Sequence, residues 1–312
     1  MKKFIDLTAY LLILLVFYGC NGDVFVDDFR SSDSELTLDG NGDVKTIRFA
    51  SSNWDFLIYT YSDGFSYPYK IYDEDGNLTT TGEVAYLEGL GKVVCDEDLT
   101  GFTIERSNSK ELKITVDENA RATNFRFMIM AANEYEYQEI YVDISPSDRY
   151  VFDHITYSLD AYSYAKKREK QKSFVQSNGW DIPYPCPLFP YENARYEVIF
   201  SSEMPGAFQL LGGGNLTVEI PSMKSGYLGL NGKQAQYSSV QQTLPLPDTG
   251  QIEVPIPAYT TQRITLWMDY EWFETRYTLH ATHPKTGKQR VITGMLQSKM
   301  PGEYEIKQED FK

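Results

Sequence analysis

Aromatic rings are where this chain could do chemistry, and that chemistry would be recognition. The run SNGWDIPYPCPLFPY, residues 177–191, carries Trp180, Tyr184 and Tyr191 on a segment with four prolines, Pro183, Pro185, Pro187 and Pro190. Proline fixes φ and withholds a backbone donor, so the segment reads as a stiff extended loop and not as a central strand. Rings carried on a stiff loop lose little entropy on binding, which suits a recognition surface. The other reading is that these rings fold back to close the end of a domain. A second run, FLIYTYSDGFSYPYKIY (56–72), is aromatic at seven of seventeen positions. Strand alternation puts Phe56 and Ile58 on one face and Leu57, Tyr59 and Tyr61 on the other. Such a face offers flat apolar rings to sugar C–H groups and hydroxyls to sugar hydroxyls. Its blander account is a strand surface rich in tyrosine because aromatics favour strands. Trp267 alternates with Ile264, Leu266 and Met268 and is expected to face outward from its strand, although tryptophans of β-sandwiches commonly belong to the core.

Catalytic chemistry finds little support. A serine or cysteine nucleophile needs a base, and the only histidines are His154, His280 and His283, with no G-x-S-x-G element beside them. His280 and His283 are three apart and would point to opposite faces of an extended strand, with no further His or Cys nearby to complete a zinc site. Asp39-Gly40-Asn41-Gly42-Asp43 resembles the start of a calcium loop, but Val44 stands where the sharp turn demands Gly and Ala50 where a Glu ligand is needed. It reads as a hairpin turn. Paired carboxylates of a glycoside hydrolase are spatial and leave no mark in one sequence. The expectation is a non-enzyme with no metal and no cofactor.

The elements that must hold these residues read as β throughout. Short runs rich in β-branched and aromatic residues (TIRFAS, WDFLIYTY, LKITVD, FRFMIMAA and EIYVDI, then RYEVIFSS, LTVEIPS, QIEVPIPA, RITLWMDYEWF, RYTLHATH and QRVITGMLQS) are separated by turn chemistry, with no long amphipathic helix. Asp75-Gly76 reads as a tight hairpin, and Pro284-Lys285-Thr286-Gly287 as another. Many short strands at this spacing point to an all-β chain of two β-sandwich (Ig-like) domains in series. The boundary falls at Ile144-Ser145-Pro146-Ser147-Asp148, giving domains at 31–146 and 149–312. Charge divides at the same place. Residues 21–148 hold 26 acidic and 10 basic side chains, a net of −16, whereas residues 149–312 hold 17 of each. So acidic a first half excludes nucleic acid and an anionic membrane surface as its partners. The one dense basic run, AKKREKQK (165–172), reads as a solvated strand-to-strand connection, or as a contact for an anionic partner such as a sulfated glycan.

The N-terminus gives an address. Met1-Lys2-Lys3, a short apolar core at Tyr10–Tyr18 and a small residue before Cys20 have the layout of a signal peptide over residues 1–19, too short to span a bilayer. Gly19-Cys20 resembles the lipobox of bacterial lipoproteins, with Phe17 where leucine is usual. The resemblance implies that Cys20 is lipidated and that 20–30 form a tether to the membrane, since more than one acyl chain gives stable anchoring. Asp23, Asp27 and Asp28 resemble the export signal of Bacteroidetes lipoproteins, which implies the outer face of the outer membrane. Cys95 and Cys186 remain, too few for a disulfide scaffold; whether they pair is left open, two buried free thiols being the simpler state.

The first half also resembles a family. Asn53-Trp54, Leu99-Thr100-Gly101-Phe102 and above all ELKITVDENARATNFRFMIMAANEYEYQEIYVDI (111–144) resemble a BACON domain, an Ig-like sandwich of surface proteins in gut Bacteroidetes. The apolar strand at Leu112–Val116 runs into Glu118-Asn119, Arg126 follows in the next strand, and Ile140–Ile144 closes the pattern. The turn residues can satisfy backbone groups and the arginine can lie across the turn. The chain departs from the family at Ser145-Pro146, where a Gln is usual, and in its long aromatic insert. The resemblance implies a glycan-associated setting. Together these readings anticipate a surface lipoprotein that recognises glycan through Trp180, Tyr184, Tyr191, Tyr59, Tyr61 or Trp267. Its partners would be a polysaccharide, the membrane through the lipid and surface proteins, with nucleic acid excluded. The alternatives are a structural or adhesive part of a surface assembly and, behind it, a glycoside hydrolase.

Overall fold

The computed structural model describes residues 30–311 apart from 32, 61–67, 83–84, 214, 225 and 247–249. The signal peptide, Cys20, the tether and Tyr61 therefore lie outside the described residues. The chain is all-β and divides into two compact units between Ser147 and Asp148.

The described residues of unit 1 form eleven strands: β1 (Glu35–Leu38), β2 (Asp43–Arg48), β3 (Asp55–Thr60), β4 (Tyr69–Asp73), β5 (Leu78–Gly82), β6 (Ala85–Leu87), β7 (Gly91–Asp96), β8 (Thr100–Asn108), β9 (Glu111–Asn119), β10 (Phe125–Ala132) and β11 (Tyr137–Ile144). They form a sandwich of two sheets, ordered β1-β11-β10-β3-β6 and β2-β9-β8-β7-β4-β5. β1 runs parallel to β11 and the other pairs are antiparallel. Period-2 alternation builds the core. Phe56 and Ile58, Phe125, Phe127 and Ile129, and Ile140, Val142 and Ile144 turn inward from one sheet, and Val93, Cys95, Phe102, Ile104 and Ile114 from the other. Phe102 stacks on Phe127 with ring centroids 4.7 Å apart and planes 4° from parallel. Asp75-Gly76 lies in the turn joining β4 to β5, where Gly76 has φ 83°. The 39–43 turn differs from its reading as a hairpin. β1 and β2 belong to different sheets, so the turn carries the chain across the sandwich; Asp39 Oδ1 accepts from the Asn41 amide at 2.9 Å.

The described residues of unit 2 form nine strands: β12 (Val151–Ser177), β13 (Tyr184–Leu188), β14 (Tyr196–Ser202), β15 (Thr217–Lys224), β16 (Tyr227–Gln236), β17 (Gln242–Leu244), β18 (Ile252–Ile256), β19 (Thr261–Thr282) and β20 (Gln289–Asp310), with one turn of helix, α1 (Ala207–Leu210). The main sheet is ordered β12-β19-β20-β14-β17, and β13-β18 and β15-β16 are two-stranded ribbons. The strands are longer than the sequence pattern suggested: β12 has 27 residues and β19 and β20 have 22 each, or about 90 and 70 Å at the usual rise. The basic run 165–172 is consequently inside β12 and is not a connection between strands. Charges along these strands are paired laterally. Asp269, nearly buried, accepts from Arg168 Nε at 2.7 Å and Nη2 at 3.1 Å and meets Lys166 at 3.5 Å; Arg168 also pairs Glu305, and Lys299 pairs Glu169 at 3.0 Å. Pro301 is tolerated inside β20 because the β19–β20 register shifts there, between Met268 and Tyr270.

Candidate functional site

The outer face of unit 1's first sheet is assembled by register. Leu57 faces Tyr86 on one side and Met130 on the other, and in the next row Tyr59 faces Met128, which faces Tyr141. Leu57 and Tyr59 point outward because Phe56 and Ile58 take the core. The first row opens into a groove of about 590 Å³ with Leu57, Met130 and Ala132 along its floor, Tyr86 and Tyr135 at its sides, and Asn53, Asp55 and Glu134 supplying polar groups. Tyr86 is 52% and Tyr135 76% exposed, so both rings are free to cover a ligand.

Two devices hold the groove's ends. In the β10–β11 turn, Asn133 Oδ1 accepts from the amides of Tyr135 (2.9 Å) and Glu136 (3.0 Å), fixing the loop that carries the Tyr135 ring. Asn133 Nδ2 is buried beside the groove with no partner. At the other end Arg106, 3% exposed, donates to Asp55 Oδ1 and the Gly89 carbonyl at 3.1 Å, and to the Ser52 and Ser109 carbonyls at 3.2 and 3.3 Å. Its guanidinium lies 3.9 Å over the buried Trp54 ring, which stacks on Phe49, so Trp54 shapes the groove without offering a free face. Burial pulls the Arg106 pKa down while Asp55 pushes it back up. Desolvation, then the charges of Asp55 and Glu88, raise the Tyr86 hydroxyl, which stays protonated and can donate. Apolar floor, free rings and mixed hydroxyl, amide and carboxylate groups suit a neutral, many-hydroxylated ligand. The carboxylates of Asp55 and Glu134 oppose a polyanion. Tyr59, 46% exposed, belongs to the neighbouring row.

The 177–191 segment divides. At one end of unit 2, Trp180 (70% exposed), Ile182, Tyr184 and Tyr259 (73%) are all exposed. Asn178 holds this tip: its Nδ2 donates to the carbonyls of Ile182 (2.8 Å), Ile256 (2.9 Å) and Pro257 (3.1 Å), and its Oδ1 accepts from the Trp180 amide (2.9 Å). Tyr259, at φ 55°, donates its amide to the Trp180 carbonyl at 3.2 Å. β13 follows as one strand of a two-stranded ribbon, where Pro185 and Pro187 displace no central ladder. Tyr191 stands apart. Its hydroxyl donates to the Gly302 carbonyl at 2.8 Å and its ring meets Tyr304 edge-on, so it closes the long sheet. Trp267 is half-buried between Lys170 and Glu305, with its Nε1 buried and unpartnered. The structure therefore leaves Trp180 and Tyr184 exposed on the segment that Asn178 holds, whereas Tyr191 and Trp267 belong to the long sheet.

Sequence reasoning missed Tyr86, Asn133, Tyr135 and Met130. The available signal was Leu57's outward position, because a sheet face with one apolar residue takes its neighbours from strands distant in sequence. Arg126, expected across a turn, pairs instead with Asp143 on the adjacent strand at 2.5 Å, on the surface; among the described residues the buried arginine is Arg106. Cys95 and Cys186 are free and buried, and burial pushes the Cys95 thiol up to about 12.

No family model matches the chain, and no curated protein does. Among solved structures, the lamprey immune protein is 11% identical, covering 87% of this chain and 99% of its own, at a TM-score of 0.39. A protein from Bacteroides thetaiotaomicron is 13% identical over 41% of this chain and 96% of its own, at 0.25. The parasporin-2 toxin of Bacillus thuringiensis is 8% identical over 60% and 75%, at 0.28. At such scores these likenesses carry no functional argument.

Proposed function

We propose that this is a non-catalytic lipoprotein, anchored through Cys20 and facing outward from the outer membrane, that recognises neutral glycan in the tyrosine-sided groove of a BACON-like unit 1. The observation that carries the reading is the groove itself: an apolar floor between two exposed tyrosine rings, with amide and carboxylate groups at its ends. Stacking on an aromatic face together with hydrogen bonds at the rim is how a protein holds a ring that is apolar on its faces and polar on its edge. The aromatic tip at Trp180 and Tyr184 is a second contact surface for the same ligand class.

A glycan array probed with the full chain tests this, followed by affinity measurements on variants. Tyr86→Ala and Tyr135→Ala are expected to weaken binding about tenfold each, the scale of a lost aromatic contact, without altering the circular dichroism spectrum. Retained binding in both, with loss in Trp180→Ala and Tyr184→Ala, would move the site to unit 2.

One observation favours the assembly reading. β12 is an edge strand of 27 residues, a long row of backbone groups open to strand addition. An empty array together with a stable complex formed along β12 would select it.

A further inference from the structure

His154 on β12 and His280 on β19 are direct cross-strand partners, and their rings stack with centroids 4.4 Å apart and planes 10° from parallel. The register shift between Phe152 and His154 makes Asp153 the extra residue of a β-bulge. Asp153 consequently shares the face of His154, where its Oδ2 accepts from Thr282 Oγ1 at 2.7 Å, two positions along β19 from His280. Thr156, Thr278 and exposed Val291 occupy the neighbouring positions.

We infer that His154 and His280 form a two-nitrogen site for a late first-row divalent metal ion, with copper, nickel and zinc as its chemical class. Imidazole nitrogen is the preferred donor for these ions, at about 2.0–2.1 Å for zinc. Two rings held this close on one face bring their nitrogens within a single ion's reach once they splay, and His154 is exposed enough to rotate about χ2 without disturbing the core. Asp153 supplies the negative charge beside the site. Held by Thr282, it completes no three-residue ligand cluster, and none occurs among the described residues, so water fills the remaining positions. His283 is no competitor: it is buried, and its Nδ1 accepts from the amides of Lys285 and Thr286, both at 3.2 Å. A metal here would tie the outer edge strand to its neighbour beside the first bulge.

The test is titration of the full chain with Zn²⁺ and, separately, Cu²⁺ by calorimetry, with electron paramagnetic resonance of the copper form. One ion per chain with two nitrogen donors is expected, together with an upward shift in unfolding temperature. His154→Phe and His280→Phe keep a ring in the stack and remove the donors, so each is expected to fold, to lose the stoichiometric site and to lose the thermal shift. Absence of stoichiometric binding in the wild-type chain, or its survival in the double variant, would overturn the inference and leave the pair as a stacking contact.

Discussion

The two units close one end with the same device and otherwise diverge. In unit 1, Asn119 donates from Nδ2 to the carbonyls of Thr123, Ile144 and Ser145 and accepts the Arg121 amide on Oδ1. In unit 2, Asn178 donates to Ile182, Ile256 and Pro257 and accepts the Trp180 amide. Each asparagine is 3% exposed or less, follows or ends a strand, and spans to the residue four positions on and to the end of a distant strand. Short strands and a large two-sided core surround the first; strands two to three times longer, with lateral ion pairs, surround the second. A buried polar plug thus fixes where chain segments meet in strands of either length, and the ion pairs let charged residues sit within the long strands of unit 2.

The largest expected effects come from the glycines that admit a backbone beside them. A Cβ on Gly40 would lie 2.0 Å from the Ser145 carbonyl oxygen, and one on Gly294 would lie 2.0 Å from that of Ser201. Gly40→Ala and Gly294→Ala are each expected to cost about 3 kcal/mol, the upper range for overpacking. Hydrogen-exchange mass spectrometry should show the loss confined to the substituted unit, and a loss in both would break the division into two units. Next come Asn119→Ala and Asn178→Ala, expected to cost about 2–3 kcal/mol by leaving buried carbonyls without a donor. They should differ in one respect: the unit 2 change frees the Trp180 tip to exchange, while the unit 1 change leaves the groove residues protected.

Much of this was legible in the sequence, for identifiable reasons. Period-2 alternation marked the strands of unit 1, and the breaker run at Ser145-Pro146 marked the boundary. The prolines around Trp180 and Tyr184 marked a segment outside any central strand, but the reading of a loop missed that Tyr184–Leu188 pair with β18 as a ribbon. The length of β12, β19 and β20 was not legible, because the 165–172 run reads as a connection until its partners across the sheet are known. The groove was hidden for a related reason. Leu57, Tyr86, Met130 and Tyr135 meet only through pairing of strands distant in sequence, Leu57 with Met130 being 73 residues apart, and no local spacing encodes that register.

Two arginines sharpen the comparison between what resemblance marks and what burial marks. Arg126, named by the family pattern, is exposed and pairs with Asp143; Arg126→Ala is expected to leave the unfolding midpoint almost unchanged. Arg106 serves four acceptors at the groove's end, and a lysine cannot reproduce that fork. Arg106→Lys is expected to cost about 2 kcal/mol, discounted because Asp55 is partly exposed. Urea unfolding of both variants measures this; equal effects would undo the distinction.

The smallest effect separates the units by pH. Hydrogen bonding to Arg168, and then the charges of Arg168 and Lys166, hold the Asp269 carboxyl below the usual carboxylate range. A depressed folded-state pKa contributes stability that is present above the unfolded value, about 3.9, and lost as pH falls through the folded one. Acid should therefore open the β12–β19 pairing around Arg168. Unit 1 has lowered carboxyls of its own at Asp73 and Glu111, both on the surface, where solvent screens their contribution. Its large negative charge also falls with acid, which relieves self-repulsion. Hydrogen exchange followed from neutral pH to pH about 3 should show β12 deprotected before β8 and β9, and Asp269→Asn should remove the acid step while raising exchange at neutral pH. Simultaneous loss in both units would mean that global protonation, and not this one buried carboxylate, sets the acid limit.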